Sequence, residues 1–357
     1  MANLSVNYEH RITQIQNRLS EQDLGALFVH SSADVRWLTG FAGSVGYVLI
    51  TDSGLILFVD SRYFDYANQL EAVKSDLVKV VLISTDGVEA QAKSLLIEPK
   101  LSFSLQDLAV IQYKKLLNLN IDLAELKNNM ILEFRLIKDQ FELEISTKAL
   151  NIAEQAFVKV KAETVLPVTE KQFQQRLDAE MILLGADRPG FETIVASGPN
   201  SVQPHGHPTN REIQEGEFVV VDWGAEIDGY RSDTSRTIWW GKISAEQQHI
   251  YDSVKKALDK ATEAIKPGVS YGEVMATARS VLAEADLDSY IQHPFGHNIG
   301  LEIHERPYFS DNESALISKG NLVALEPAVY VPNLGGVRLE NMIYVEDKAE
   351  TLNTLET

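Results

Sequence analysis

The stretch from Phe218 to Gly241, FVVVDWGAEIDGYRSDTSRTIWWG, limits what this chain can fold into more than any other. Its apolar run Phe218–Val221 reads as a buried strand, and Ile238–Trp240 reads as a second. Asp228-Gly229 between them is a hairpin-turn signal. The predicted hairpin carries Asp222 out of one strand and Asp233 out of the other. A carboxylate in such a strand is costly unless it is paired or bound to a metal. Packing alone does not explain Asp222.

The layout recurs later in the chain. Leu322-Val323-Ala324-Leu325 is an apolar run ending in Glu326, a turn follows around Asn333–Gly336, and Val337-Arg338-Leu339 leads to Glu340. A second hairpin of strand, acid, turn, strand and acid is expected there. Between the two hairpins, His293-Pro294-Phe295-Gly296-His297-Asn298-Ile299-Gly300 sets an imidazole among glycines, which allow close backbone approach. His304-Glu305 follows shortly after. Upstream, the loop Pro204–Pro208 carries His205 and His207, a pair that by itself is weak evidence for a metal.

Each of these residues has a bland reading alone, but four acids in two apolar hairpins with a glycine-flanked histidine are hard to dismiss. Asp222, Asp233, His297, Glu326 and Glu340 together point to a metal pair. Four carboxylates balance two divalent cations in charge, and a bridging hydroxide fits that field, since metals lower the pKa of bound water toward ~7. Oxygen-rich ligands with one imidazole and no thiolate favour Mn²⁺, Co²⁺ or Zn²⁺ in a reactive centre over a structural zinc.

At 357 residues the chain is long enough for two or three domains. A net charge of −19 argues against nucleic acid as a partner, because no basic stripe is available to neutralise phosphates. With no cysteine, disulfides, zinc–thiolate sites and thiol nucleophiles are excluded. Met1–Gln14 has no apolar signal-peptide core and no apolar run approaches a membrane span, so the cytoplasm is the expected compartment.

Residues 1 to about 130 alternate helical and strand patterns and predict an α/β layer domain with a mixed sheet. Helices are expected over His10–Ser20, Arg62–Glu71, Val88–Leu96 and Ala109–Leu117. Strands are expected over Ala26–Val29, Val78–Ile83 and Leu101–Leu105, and a hairpin over Tyr47–Val59 with its turn at Asp52-Ser53-Gly54. Asp60 or Ser61 reads as a helix cap, and His10 and His30 read as structural or solvent-facing. Chemistry is not evident in this half. From about 131 to 357, helices are expected from Asp139 to about Val165, from Thr169 to Leu184, and over Gln247–Ala264 and Tyr271–Glu284.

The second half resembles the metal-dependent aminopeptidase P, prolidase and methionine aminopeptidase family, whose catalytic domain has the pita-bread fold. The motifs that carry the resemblance are ASGPNSVQPHG, DWGAEIDGYRSDTSRT, GHNIGLEIHE, EPAVYVP and GGVRLEN, in order, through residues 135–345. WLTGFAGSVGYVLIT and LFVDSRYFDYA in the first half are similar to the N-terminal domain of the proline-specific members. Methionine aminopeptidases lack that domain, and creatinase lacks the metal ligands, so both fit less well. The expected architecture is an α/β (α+β) chain with a creatinase-like mixed-sheet domain followed by a pita-bread metallopeptidase domain.

The resemblance implies that Asp222, Asp233, His297, Glu326 and Glu340 hold two divalent metal ions, Mn²⁺ foremost, with Asp233 and Glu340 bridging. It makes His205, His304 and Glu326 catalytic, Glu326 as proton shuttle, and it places His293, Tyr330 and Arg338 at substrate-facing or supporting positions. Small peptides with proline at the second position are the implied substrates, and a homodimer the implied assembly. The short segment after Thr39-Gly40-Phe41 makes Xaa-Pro aminopeptidase the first expectation and Xaa-Pro dipeptidase the alternative. A catalytically silent binding protein on this fold is a further rival, against which the intact ligand set weighs. Asn298, Ala328 and Asn341 depart from the family's usual residues, as does Ser235, which keeps the hydroxyl; His207 is an addition and reads as a loop residue.

Overall fold

The computed structural model describes residues 5–357. The reading of Met1–Gln14 reaches into residues 1–4, which lie outside the described ones. The chain forms two compact units, the first ending at Arg135 and the second spanning Leu136–Thr357.

The first unit opens with α1 (Tyr8–Glu21), capped by the Asn7 side chain, which accepts from His10 N. Next come β1 (Ala26–Val29), α2 (Ser32–Thr39), β2 (Gly46–Thr51) and β3 (Gly54–Val59). Two short helical pieces, α3 (Phe64–Ala67) and α4 (Glu71–Lys74), precede β4 (Val78–Leu82) and α5 (Val88–Ser94). The unit ends with β5 (Lys100–Ser104), α6 (Val110–Leu117), β6 (Asp122–Leu126) and α7 (Met130–Arg135). Six strands form one mixed sheet in the order β4-β3-β2-β1-β5-β6.

The helix expected over Arg62–Glu71 is broken into α3 and α4, because the chain turns at Asn68–Leu70. Asp60 caps no helix; it accepts from Arg62 N at 2.9 Å in a turn and pairs with the Arg62 guanidinium. The helix begins later, after Tyr63, with no side-chain cap. α2 and β6 were not anticipated. His30 packs edge-on against Phe28, with ring centroids 4.4 Å apart.

The second unit has two similar halves. The first half contains α8 (Gln140–Glu163), α9 (Glu170–Leu183), β7 (Arg188–Pro189), β8 (Ile194–Ser197), β9 (Val219–Trp223), β10 (Ala225–Ile227), β11 (Tyr230–Arg231) and β12 (Thr234–Ile238). Asp139 and Thr169 open the two helices in reciprocal capping boxes with Glu142 and Gln172. Val219, Val221 and Trp223 alternate toward those helices, and Trp223 stacks on Phe157 at 4.3 Å. Period-2 geometry then sends Asp222 to the opposite face.

The second half contains α10 (Ala245–Ala264), α11 (Tyr271–Glu284), β13 (Gly296–Asn298), β14 (Glu305–Tyr308), β15 (Leu322–Leu325), β16 (Ala328–Val331), β17 (Gly335–Arg338), β18 (Asn341–Val345) and β19 (Ala349–Thr351). α10 and α11 cover an apolar core with Val323, Leu325, Val337 and Ile343.

Each predicted hairpin is in fact two nested ones. β9 pairs with β12, and the tighter β10–β11 turn, with Asp228 and Gly229 at φ 47° and 75°, sits beyond them. In the same way β15 pairs with β18 while β16 pairs with β17. The strand Leu322–Leu325 therefore does not pair with Val337–Glu340 as expected, and Trp239-Trp240 lie past the end of β12. Asp233, Glu326 and Glu340 fall at the breaks between outer and inner ladders, where the backbone turns side chains toward a shared space.

A carboxylate-rich cavity in the second unit

Asp222 on β9 lies directly opposite Ser235 on β12, so the two share a face, and Asp233 two residues before Ser235 shares it too. His297 on β13 lies opposite Ala324 on β15, two residues before Glu326. Gly296 makes this pairing possible. A Cβ there would lie 2.0 Å from Ala324 O, and the φ of 135° suits only glycine.

These elements enclose a cavity of about 440 Å³ lined by His205, Asp222, Asp233, His293, His297, His304, Glu326, Arg338 and Glu340. All the residues singled out in the sequence therefore come together, except that Tyr330 stands one layer back. Its hydroxyl is 2.8 Å from His293 Nε2 and accepts from Arg338 Nη1 at 2.9 Å. His293 Nδ1 lies 2.6 Å from Pro294 O, so that nitrogen carries the proton and Nε2 accepts from Tyr330.

Arg338 is the cation that faces the acids. It donates through Nη2 to Asp222 Oδ2 (2.6 Å), through Nε to Ser235 Oγ (2.9 Å) and through Nη1 to Pro204 O (2.8 Å). Ser235 Oγ in turn donates to Glu340 Oε2 at 2.9 Å. The hydroxyl thus links guanidinium and carboxylate, a role that explains why serine suffices there.

One guanidinium among four carboxylates leaves negative charge uncompensated. Burial first, then the charges of Glu340, Asp222 and Glu326, push the Asp233 carboxyl well above its ordinary range. Burial and then Glu326 and Asp222 do the same to Glu340. Burial lifts Glu326 to about 8 against the opposing pull of Arg338. Burial, aided by neighbouring His304, lowers His297 to about 3, which leaves it a neutral imidazole.

The donor atoms suit a divalent cation. Asp222 Oδ1 and Glu340 Oε1 are buried without a hydrogen-bond partner among the described residues. Such orphaned oxygens are costly in a native interior and ask for a positive partner. His297 Nδ1 sits 3.0 Å from Asn298 O, which places its proton there and turns the Nε2 lone pair toward Asp233 Oδ2 (3.6 Å) and Glu326 Oε1 (3.8 Å). Ligand atoms of Asp233, His297 and Glu340 all lie within 4.8 Å of one another. Hard oxygens with one imidazole match a metal of the Mn²⁺–Zn²⁺ range.

Residues 144–347 match the family model described as metallopeptidase family M24, and residues 11–137 match the creatinase/prolidase N-terminal domain. The chain belongs to metallopeptidase family M24. It is 31% identical to a Xaa-Pro dipeptidase of Pyrococcus horikoshii over 336 residues, covering 94% of each chain. It is 30% identical to a putative Xaa-Pro aminopeptidase of Mycoplasma genitalium over 347 residues, covering 95% of this chain and 94% of that one. A solved structure of a Xaa-Pro dipeptidase from Bacillus anthracis superposes with a TM-score of 0.92 at 30% identity, covering 98% of this chain and 99% of that one. The M24 chain is accordingly an enzyme of a peptidase hydrolase family that implies divalent metal ions, with a creatinase-like first domain and a pita-bread second domain. No helix among the described residues is long and apolar enough to cross a membrane.

Several lining residues of this M24 cavity escaped the sequence reading. Phe191, Glu192, Ile303 and Tyr308 wall it, and His207, read as a loop residue, lies at its edge 3.4 Å from Glu192. Phe191 and Glu192 precede β8 in a segment without periodicity or motif. Nothing in the sequence marks that segment as a wall.

Proposed function

We propose that this M24 chain hydrolyses the bond preceding proline in Xaa-Pro dipeptides. Asp222, Asp233, His297, Glu326 and Glu340 would hold two divalent ions, Mn²⁺ foremost. The carrying observation is the clustering of this donor set, with its two orphaned carboxylate oxygens, in one cavity beside His205 and His304. The sequence reading put Xaa-Pro aminopeptidase first. The relatives named Xaa-Pro dipeptidase, from Pyrococcus and Bacillus, reverse that order.

When bound, such ions supply Lewis-acid polarisation of the scissile carbonyl and an activated nucleophile. The rest falls to the side chains. Glu326 takes the proton of the attacking water and delivers it to the departing proline nitrogen. That nitrogen belongs to a tertiary amide and must gain a proton to leave. Glu326 lines the cavity beside the other acids and so is placed for that task. His304 and His205 donate hydrogen bonds to the oxyanion that develops on the carbonyl. Arg338, held by Tyr330 and Ser235, grips one oxygen of Asp222 and so orients its carboxylate.

One feature supports the aminopeptidase as a second reading. Among the cavity-lining residues there is no lysine, and the one arginine is engaged by Asp222, Tyr330, Ser235 and Pro204. A dipeptide's own carboxylate would have to be received by histidines, whereas a longer peptide carries no charge there. Stripping the protein with chelator, restoring Mn²⁺, Co²⁺ or Zn²⁺, and assaying a Xaa-Pro dipeptide beside a Xaa-Pro-Yaa tripeptide decides between them. Cleavage confined to the dipeptide supports the dipeptidase, and efficient cleavage of the tripeptide moves the assignment. Two metals bound with neither peptide cut would overturn both.

A further inference from the structure

Beyond β19 the chain leaves the second half of the unit and docks against elements of the first. Leu352 N donates to Met342 O at 2.9 Å. Asn353 accepts from Met342 N through Oδ1 (2.7 Å) and donates through Nδ2 to Thr234 Oγ1 (3.1 Å) and Glu154 Oε1 (2.9 Å). Glu154, buried on α8, also accepts from Thr354 N (2.9 Å), Thr354 Oγ1 (2.6 Å) and Leu355 N (3.1 Å). The segment is held along its whole length.

Arg236, on the face of β12 away from the cavity, ties this segment to the carboxylate arms. It is 3% exposed. Nη1 donates to Glu340 O (2.5 Å) and Ser235 O (2.9 Å). Nη2 donates to Leu355 O (2.6 Å) and Asn341 Oδ1 (3.0 Å), and Nε to Glu356 O (3.2 Å). All these acceptors are uncharged, so among the described residues the guanidinium is buried with no carboxylate hydrogen-bonded to it, an arrangement costly for stability alone. What it achieves is geometric. The acceptors come from three places: the strand after Asp233, the turn at Glu340, and residues 355–356. Asn353 makes a parallel link between Thr234, next to Asp233, and Met342, two residues past Glu340.

We propose that residues 352–356 form a brace that fixes the separation of Asp233 from Glu340, with Arg236 and Asn353 as its positioning residues, so that both carboxylates can hold the divalent metal pair. The brace rests on the metal-centre reading given above. Neither positioning residue touches substrate. Supports of this kind behind metal ligands typically change metal affinity about 10–100-fold when removed.

The test compares full-length wild type with Arg236→Met, Arg236→Lys, Asn353→Ala and Lys255→Ala. Lys255 grips Thr357 through its O and Oγ1 (2.6 and 2.7 Å) but reaches neither arm, so it controls for general loosening of the segment. Mn²⁺ titration calorimetry on chelator-stripped protein gives stoichiometry and affinity, beside thermal melting of the metal-free chain and kcat and KM on a Xaa-Pro dipeptide. Arg236→Met and Asn353→Ala are expected to weaken uptake of one of the two Mn²⁺ ions roughly tenfold or more. Their kcat should fall with KM little changed and recover at high Mn²⁺, Arg236→Lys should fall between, and Lys255→Ala should match wild type. Should Arg236→Met not fold, Asn353→Ala carries the test. Wild-type Mn²⁺ affinity in folded Asn353→Ala, or an equal loss in Lys255→Ala, overturns the brace and leaves the proposed function standing. If wild type binds Mn²⁺ but cuts no peptide, the proposed function fails while the titrations still decide the brace. Wild type that binds no Mn²⁺ overturns both.

Discussion

Arg338 Nη2 donates to Asp222 Oδ2 at 2.6 Å, while Asp222 Oδ1 is buried with no partner among the described residues. The guanidinium thus secures one oxygen of the carboxylate and leaves the other free for a metal. Replacing Arg338 by Met would strand Asp222 beside three further buried acids. The metal-free chain should lose about 3 kcal/mol, the usual result of removing one member of a buried ion pair. Urea unfolding of chelator-stripped protein measures this, and Mn²⁺ should restore part of the loss in the variant. Unchanged unfolding midpoints would mean that Arg338 does not stabilise the acids.

The raised carboxyls make the metal-free chain sensitive to alkaline pH. Asp233, Glu326 and Glu340 have folded-state pKa values above their unfolded ones, so the folded chain binds more protons. For Glu326 the associated stability is complete below about 4.5 and is lost as pH rises through about 8. His297, lowered to about 3, acts with opposite sign, and its contribution is lost only as pH falls below 6.5. His30, His293 and His304 are lowered as well and act with the same sign as His297, so the carboxyls dominate only once pH is well above 6.5 and approaches 8. Metal-free stability should therefore decline there, by about 1.4 kcal/mol per pH unit for each proton bound in excess. Mn²⁺ binding in the same window should release protons, read from calorimetry in buffers of different ionisation enthalpy. No proton release would count against a carboxylate-held metal.

Glu326→Gln keeps an oxygen donor but removes the proton carrier. Turnover should fall roughly 10²–10⁴-fold, a larger loss than the accompanying weakening of metal binding accounts for. His304→Ala, by contrast, should keep full metal content while kcat drops about 10²-fold or more through loss of an oxyanion donor. Metal analysis of each purified variant beside its kinetics separates the two effects. Equal loss of metal and activity in His304→Ala would remove it from the catalytic group.

Gly296→Ala should be out of proportion to its size. The added methyl would meet Ala324 O at 2.0 Å in a backbone conformation at φ 135°, next to His297. A loss of about 2 kcal/mol or more is expected, with weakened Mn²⁺ binding because β13 must shift against β15. Calorimetric melting with and without Mn²⁺ measures both. Wild-type behaviour in the two assays would show that the β13–β15 approach is not needed.

Much of the centre could be read from residues alone. Asp222, Asp233, Glu326 and Glu340 stood out because acids in or beside apolar strands carry a free-energy penalty that calls for a compensating charge. His297 stood out through its glycine neighbours, and α8 and α9 through apolar residues at helical spacing after Asp139 and Thr169. These are local effects, set within a few residues of chain. What tertiary structure decided is pairing over distance. The apolar run Leu322–Leu325 announced a buried strand but not that its partner is Asn341–Val345 rather than Val337–Glu340. Nor could it bring Arg338 onto Asp222, Ser235 between Arg338 and Glu340, or Glu192 and Ile303 to the cavity wall. The acids were determined by sequence because their cost is local; their common centre was decided by packing, because partners distant in the chain meet only when whole sheets close around one core.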